Sequence, residues 1–163
     1  ITTASKQGSA NPYIQLAYKE LEALGFTNIS FFDLLTDTIE SLKAAEIIYV
    51  GGGNTFRLLK ALKDSGADQI LRDFCEHNNG IYVGVSAGSL IVGQSIASAV
   101  GHDENNVDLT DLTGLRIVPY LLLVHYTEKD ATDLAMLEQN FPKVRTLTDS
   151  QAIIHQGENE QLI

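Results

Sequence analysis

The sequence predicts an α/β fold, a three-layer sandwich with a mainly parallel central sheet and helices on both faces. Three observations carry that expectation. Short apolar, β-branched runs alternate with stretches of helical apolar spacing, the pattern of strands joined by crossover helices. Small-residue turns, Gly51-Gly52-Gly53-Asn54 and Asn79-Gly80, punctuate the alternation. One strand-like run, 81–85, passes directly into small residues through Ser86, which stands between Gly84 and Gly88 as a G-x-S-x-G nucleophile elbow.

The elements follow in order. The chain starts at Ile1-Thr2-Thr3-Ala4-Ser5, without methionine, and reads as the end of a strand entering a loop; residues before Ile1 are expected. Asn11-Pro12 is a helix start, with Asn as N-cap and Pro at the first helical position. Ile14, Ala17, Leu21 and Leu24 then share one face, and Gly25 ends the helix. A strand is expected at 29–35, leading into an acidic loop around Asp33, and a short helix at 38–45. The run 46–50 is a buried strand ending in Gly51-Gly52-Gly53-Asn54-Thr55. Phe56, Leu59 and Leu62 line the next helix, which stops near Gly66, and 67–78 forms another, closed by Asn79-Gly80. After the elbow a helix is expected through Ile96. The polar stretch 97–113 reads as a loop over the site. Residues 115–118 and 121–124 are strand candidates, and the second delivers His125 to a strand end. Thr127-Glu128-Lys129-Asp130 resembles a capping box before a helix reaching Asn140. Strands at 144–147 and 151–154 follow, and Gln156-Gly157-Glu158-Asn159 is the turn of a final hairpin.

Length and composition bound the function. The 163 residues suit one α/β domain, 1–163, expected to be truncated at its start, with a sizeable core. Hydrophobic residues make 44% of the chain and charged residues 20%, the balance of a globular protein. The net charge of −10, with no basic stripe, argues against nucleic acid. No run is long enough to cross a bilayer and the start does not resemble a signal peptide, so no membrane association is expected. A lone Cys75 excludes an internal disulfide and reads as a core thiol, so a cytoplasmic setting is the default. Neither metal nor cofactor is expected.

The chemistry converges on the elbow. A serine hydroxyl needs a base to take its proton. Among four histidines, His77 reads as solvated, His102 lies in the acidic loop and His155 ends a late strand. His125 alone falls at a strand tip on the edge where Ser86 should lie, because parallel sheets bind ligands beyond the carboxyl ends of their strands. The imidazole needs a carboxylate to hold its tautomer. Asp149, after the strand at 144–147, is the first choice and Asp103 the alternative. The triple glycine lacks the Walker A ending and the dinucleotide spacing. Backbone N–H groups of Gly51, Gly52 and Gly53, next to Asn54, instead suit half of an oxyanion site, with Ala87 N–H as the other half. The chain order Ser, His, Asp differs from that of the α/β-hydrolases and points to another fold.

Gly51-Gly52-Gly53-Asn54-Thr55-Phe56, then Gly84-Val85-Ser86-Ala87-Gly88, then His125-Tyr126 resemble the dipeptidase E (aspartyl dipeptidase) family of serine peptidases, to which the cyanophycinases are related. The resemblance runs from about Ile1 to the C-terminus. It implies a sandwich similar to class I glutamine amidotransferases, with serine in place of cysteine. It also implies Ser86 as nucleophile, His125 as base, an oxyanion site at the glycine turn and Ala87, and a late acidic residue matching Asp149 as third member. A Ser-proximal acid, matching Asp103, is the other assignment. Three features depart from the family: its N-terminal strand and helix ahead of Ile1 are missing, Val124 replaces a usual Pro, and 126–140 holds no arginine. The resemblance therefore carries over hydrolysis of small peptides or amide bonds, not aspartyl specificity. A start short of an edge strand would also favour a homodimer. The competing reading is a catalytically inactive relative that binds a ligand or partner in the same crevice, with nucleotide binding a distant third.

Overall fold

The structure, a computed structural model, describes residues 1–77 and 80–163. The expected helix end at Asn78 and the turn at Asn79 lie outside the described residues.

Helix α1 (Pro12–Ala23) begins where Asn11 accepts hydrogen bonds from Tyr13 N (2.9 Å) and Ile14 N (3.4 Å), and Pro12 takes the first helical position. Residues 39–44 form a 3₁₀ turn rather than an α-helix. Strand β1 (Ile47–Val50) leads through the glycine turn into α2 (Thr55–Ser65), whose face of Phe56, Leu58, Leu59 and Leu62 is buried. Gly66, left-handed at φ 78°, ends α2 and starts α3 (Ala67–Glu76) directly, which turns Leu71 and Phe74 inward. Strand β2 (Ile81–Gly84) runs parallel to β1, from Ile47 opposite Ile81 to Val50 opposite Gly84, and Val85 N–H extends the pairing to Val50 O (3.0 Å). Both strands therefore end together, at Gly51 and Ser86.

Helix α4 (Ala87–Leu90) is a single turn, shorter than the helix expected through Ile96. The cause lies in the backbone bonding downstream. The carbonyls of Ile91, Val92, Gly93 and Gln94 accept from the N–H groups of Leu115, Ile117, Val118, Arg116 and Gly114, so they are not free to propagate a helix. The same bonds explain why 115–118, expected as a strand, forms no ladder: its N–H groups are spent on that turn. Residues 29–35 are not a strand either. They meet the chain start through Phe32 O, which accepts from Thr2 N (2.8 Å), and through Thr3 Oγ1, which accepts from Leu34 N (2.8 Å) and donates to Asp33 Oδ1 (2.8 Å), while Gly51 N donates to Ile1 O (3.1 Å).

Strand β3 (Leu121–Val124) pairs in parallel with β4 (Val144–Leu147), Val124 lying opposite Leu147, and Tyr126 N–H continues to Leu147 O (2.9 Å). Between them α5 (Ala131–Asn140) follows the expected capping box, in which Asp130 Oδ2 accepts from Thr127 N (2.7 Å). That bond holds the Asp130 carboxyl below its ordinary range. Strands β5 (Ile153–Gln156) and β6 (Asn159–Leu162) form the closing antiparallel hairpin around Gly157. The ladders among the described residues are thus three pairs, and α4 bridges the two parallel ones, touching β1, β2 and β3.

One contiguous apolar core joins these elements, including Leu58, Leu62, Leu71, Ile91, Ile96, Leu115 and Tyr120. Cys75 packs at its margin, where burial pushes the thiol up to about 11. Among the described residues no helix is long and apolar enough to cross a membrane.

Candidate active site

The elbow is built by close approach. A Cβ at Gly88 would overlap the Val50 carbonyl, so only glycine lets α4 sit against β1. Tyr82 Oη donates to Gly88 O (2.7 Å) and Ser89 Oγ to Gly84 O (2.7 Å), tying the turn from both sides. Burial pushes the Tyr82 hydroxyl well up, which keeps it protonated as a donor. Held this way, Ser86 takes φ 52°, ψ −113°, a region costly for a residue with a side chain. The one-turn length of α4 leaves little macrodipole behind Ser86, so the stabilisation expected from a long helix is reduced to its free N–H groups.

His125 follows β3 at φ 59°, also in the left-handed region. Its Nε2 lies 3.0 Å from Ser86 Oγ and its Nδ1 2.5 Å from Asp149 Oδ1. With Nδ1–H donating to the carboxylate, Nε2 is left to accept the serine proton. The site is open: the His125 side chain is 60% and that of Asp149 81% exposed. Thr148 Oγ1 lies 3.2 Å from Ser150 Oγ, and Gln151 Oε1 accepts from Thr148 N, so the loop carrying Asp149 is closed on itself.

The glycine turn faces the serine. A Cβ at Gly52 would stand 3.0 Å from Ser86 Cβ, and Gly53 takes φ 141° against Ala4 and Ser5. The five expected oxyanion residues separate here. Gly51 N–H is taken by Ile1 O (3.1 Å) and Asn54 N–H by Ala4 O (2.9 Å), so neither is available to a ligand. The N–H groups of Gly52, Gly53 and Ala87 have no acceptor among the described residues.

Asp103, the alternative third member, points elsewhere: its Oδ2 accepts from Thr55 N (2.7 Å) at the start of α2. The remaining histidines are also engaged away from Ser86. His77 Nδ1 lies 2.9 Å from Asp73 O, His102 meets Asp133 at 3.4 Å, and His155 stacks edge-on against Tyr120. Among the described residues no three His, Cys, Asp or Glu side chains converge as a metal site would require. Two features went unread in the sequence. One is the strained backbone of His125, for which Leu121-Leu122-Leu123-Val124 carries no signal. The other is the loss of Gly51 as a donor, which depends on a partner fifty residues earlier in the chain.

A family model described as peptidase family S51 matches residues 1–163. An uncharacterized peptidase of Listeria monocytogenes is 32% identical over 171 residues, covering 96% of this chain and 80% of the relative. Peptidase E of Shewanella amazonensis is 36% identical over 64% of this chain, and peptidase E of Salmonella newport 33% identical over 66%. The chain spans 43% and 48% of those two relatives. A crystal structure of a Listeria monocytogenes protein provisionally assigned as a peptidase E superposes with a TM-score of 0.82 at 28% identity, over 99% of this chain and 82% of the other.

Proposed function

The chain belongs to peptidase family S51, a family of serine-type peptidases, and from that premise we propose that it hydrolyses small peptides or other amide bonds with Ser86 as nucleophile, His125 as general base and Asp149 as the group that orients the imidazole. The observation that carries the reading is the unbroken line of contacts, 3.0 Å from Ser86 Oγ to His125 Nε2 and 2.5 Å from Nδ1 to Asp149 Oδ1.

The steps follow from that line. Ser86 Oγ attacks the amide carbon while its proton passes to His125 Nε2. The carbonyl oxygen becomes an anion, and the N–H groups of Gly52, Gly53 and Ala87, without an acceptor among the described residues, are the candidate donors to it. His125 then returns the proton to the leaving amine, the C–N bond breaks and an acyl ester remains on Ser86. Water, deprotonated by His125, attacks the ester carbon, the C–Oγ bond breaks as His125 returns the proton to Ser86 Oγ, and the acid leaves. Because Asp149 is 81% exposed, solvent screens its charge, and its contribution is chiefly to fix the ring and its tautomer. The acidic chain and the absence of arginine from 126–140 favour neutral or cationic peptides over aspartyl ones. The lone thiol fits a reducing compartment such as the cytoplasm.

The test is turnover against a panel of unblocked dipeptides and tripeptides. Ser86→Ala should abolish hydrolysis, and Asp149→Asn should lower kcat by as much as about 10⁴-fold, the loss seen when a triad carboxylate becomes a neutral isostere. Wild-type turnover that survives Ser86→Ala would remove Ser86 from the mechanism. A wild-type protein that binds these peptides without cleaving them would favour the inactive, ligand-binding reading.

A further inference from the structure

Asp103 is engaged with the backbone at the start of α2, and its surroundings give that contact a purpose. Asn54 caps α2 by accepting from Arg57 N (2.8 Å), which leaves Thr55 N–H, nearer the glycine turn, without that partner. Asp103 Oδ2 takes it at 2.7 Å. The same loop binds the turn a second time, where Asn54 Nδ2 donates to Glu104 O (2.7 Å). The loop is itself anchored. Asp103 N donates to Ala99 O (2.9 Å), and the buried Ser98 donates through Oγ to Leu122 O (2.6 Å) on β3, the strand that delivers His125. A continuous chain of bonds therefore runs from the histidine strand, through residues 98–104, to the turn whose Gly52 packs on Ser86.

We propose that Asp103 is a positioning residue that holds the Gly52-Gly53 turn in place for the oxyanion, by accepting the Thr55 N–H from a loop pinned to β3. The inference rests on the hydrolase reading of Ser86 and adds a residue that acts through the turn rather than on the imidazole. Gly53 at φ 141° has no side chain to hold its conformation, so the turn depends on its flanking bonds, with Ala4 O on Asn54 N on one side and Asp103 on Thr55 on the other. A donor displaced by a fraction of an ångström loses most of its value to a developing charge.

The test compares Asp103→Ala and Asp103→Asn in the full chain. The readouts are the rate of Ser86 labelling by a fluorophosphonate and backbone amide exchange at residues 51–57. Asparagine keeps an oxygen that can accept from Thr55 N–H, so its labelling rate should stay within about fivefold of wild type, the shortfall reflecting the lost charge at the helix N-terminus. Alanine should slow labelling by about tenfold or more, toward the loss seen when an oxyanion donor is removed. Exchange at 51–57 should quicken in the alanine variant only, with the melting transition of the asparagine variant near wild type. Equal damage from both substitutions would overturn the proposal, because an acceptor for Thr55 N–H would then not suffice, and so would unchanged exchange in the alanine variant. If wild-type Ser86 is not labelled at all, the hydrolase reading fails, and the exchange comparison alone decides whether Asp103 holds the turn.

Discussion

Ser86 and His125 both stand in left-handed backbone, at φ 52° and 59°. Such positions cost about 1–3 kcal/mol each for a residue with a Cβ, and they persist only where neighbouring bonds enforce them. At Ser86 the enforcement was readable, because Gly84 and Gly88 on either side mark a turn too tight for larger residues. At His125 it was not, since a run of leucines ending in Val-His-Tyr looks the same whether the chain continues straight or turns back. The strain at Ser86 has a measurable consequence. Ser86→Gly should melt higher than Ser86→Ala, by the equivalent of about 1–2 kcal/mol, because glycine alone adopts φ 52°, ψ −113° without cost. Equal melting temperatures would mean that Ser86 carries no strain. The carboxylates divide for a similarly local reason. Both Asp103 and Asp149 are polar loop residues in the sequence, and only the bonds each one makes, to Thr55 N–H or to His125, distinguish their work.

At the level of elements, the alternation of apolar runs and amphipathic helices located β1, β2, β3, β4, α1, α2, α3 and α5; in α2 and α3 burial of one face imposes a period that survives in the sequence, whereas β2 and α5 hold no fully buried residue. It failed at 115–118 and at the length of α4 for one shared reason: apolar residues are buried equally well by a ladder and by the wrapped turn that 91–94 and 114–118 form together. The closing hairpin is held differently. Glu160 on β6 accepts from Lys143 (2.9 Å) and from Arg145 on β4 (2.6 Å), and those cations rest over the Tyr120 ring. The Lys143 bond first, then Arg145, holds the Glu160 carboxyl below its ordinary value. A carboxyl depressed by folding adds stability that is complete above its unfolded pKa and is lost as pH falls through its folded one. Docking of β5–β6 should therefore weaken as pH drops below about 4.5. Amide exchange at 153–162, corrected for intrinsic rate, should accelerate over that window in wild type. In Glu160→Gln it should already be fast at neutral pH and flat across the window. An unaltered pH response in that variant would place the hairpin's anchor elsewhere.

Over the whole molecule, the residues at the carboxyl ends of two parallel pairs meet beside α4. β1 and β2 bring the glycine turn and Ser86, while β3 and β4 bring His125 and Asp149. That convergence was legible, because parallel strands place every strand-end residue on one edge. The separations were not, since they depend on α4 meeting β1 through Gly88 and on the positive φ of His125. On the proposed mechanism this edge is a working serine relay, with His125 activating Ser86. The most direct measurement is mass spectrometry of the protein after brief exposure to a fluorophosphonate, with the adduct mapped by peptide. One adduct is expected, on Ser86, and it should fall to background in His125→Ala. No adduct, an adduct on another serine, or labelling of Ser86 at the same rate without His125 would contradict that mechanism.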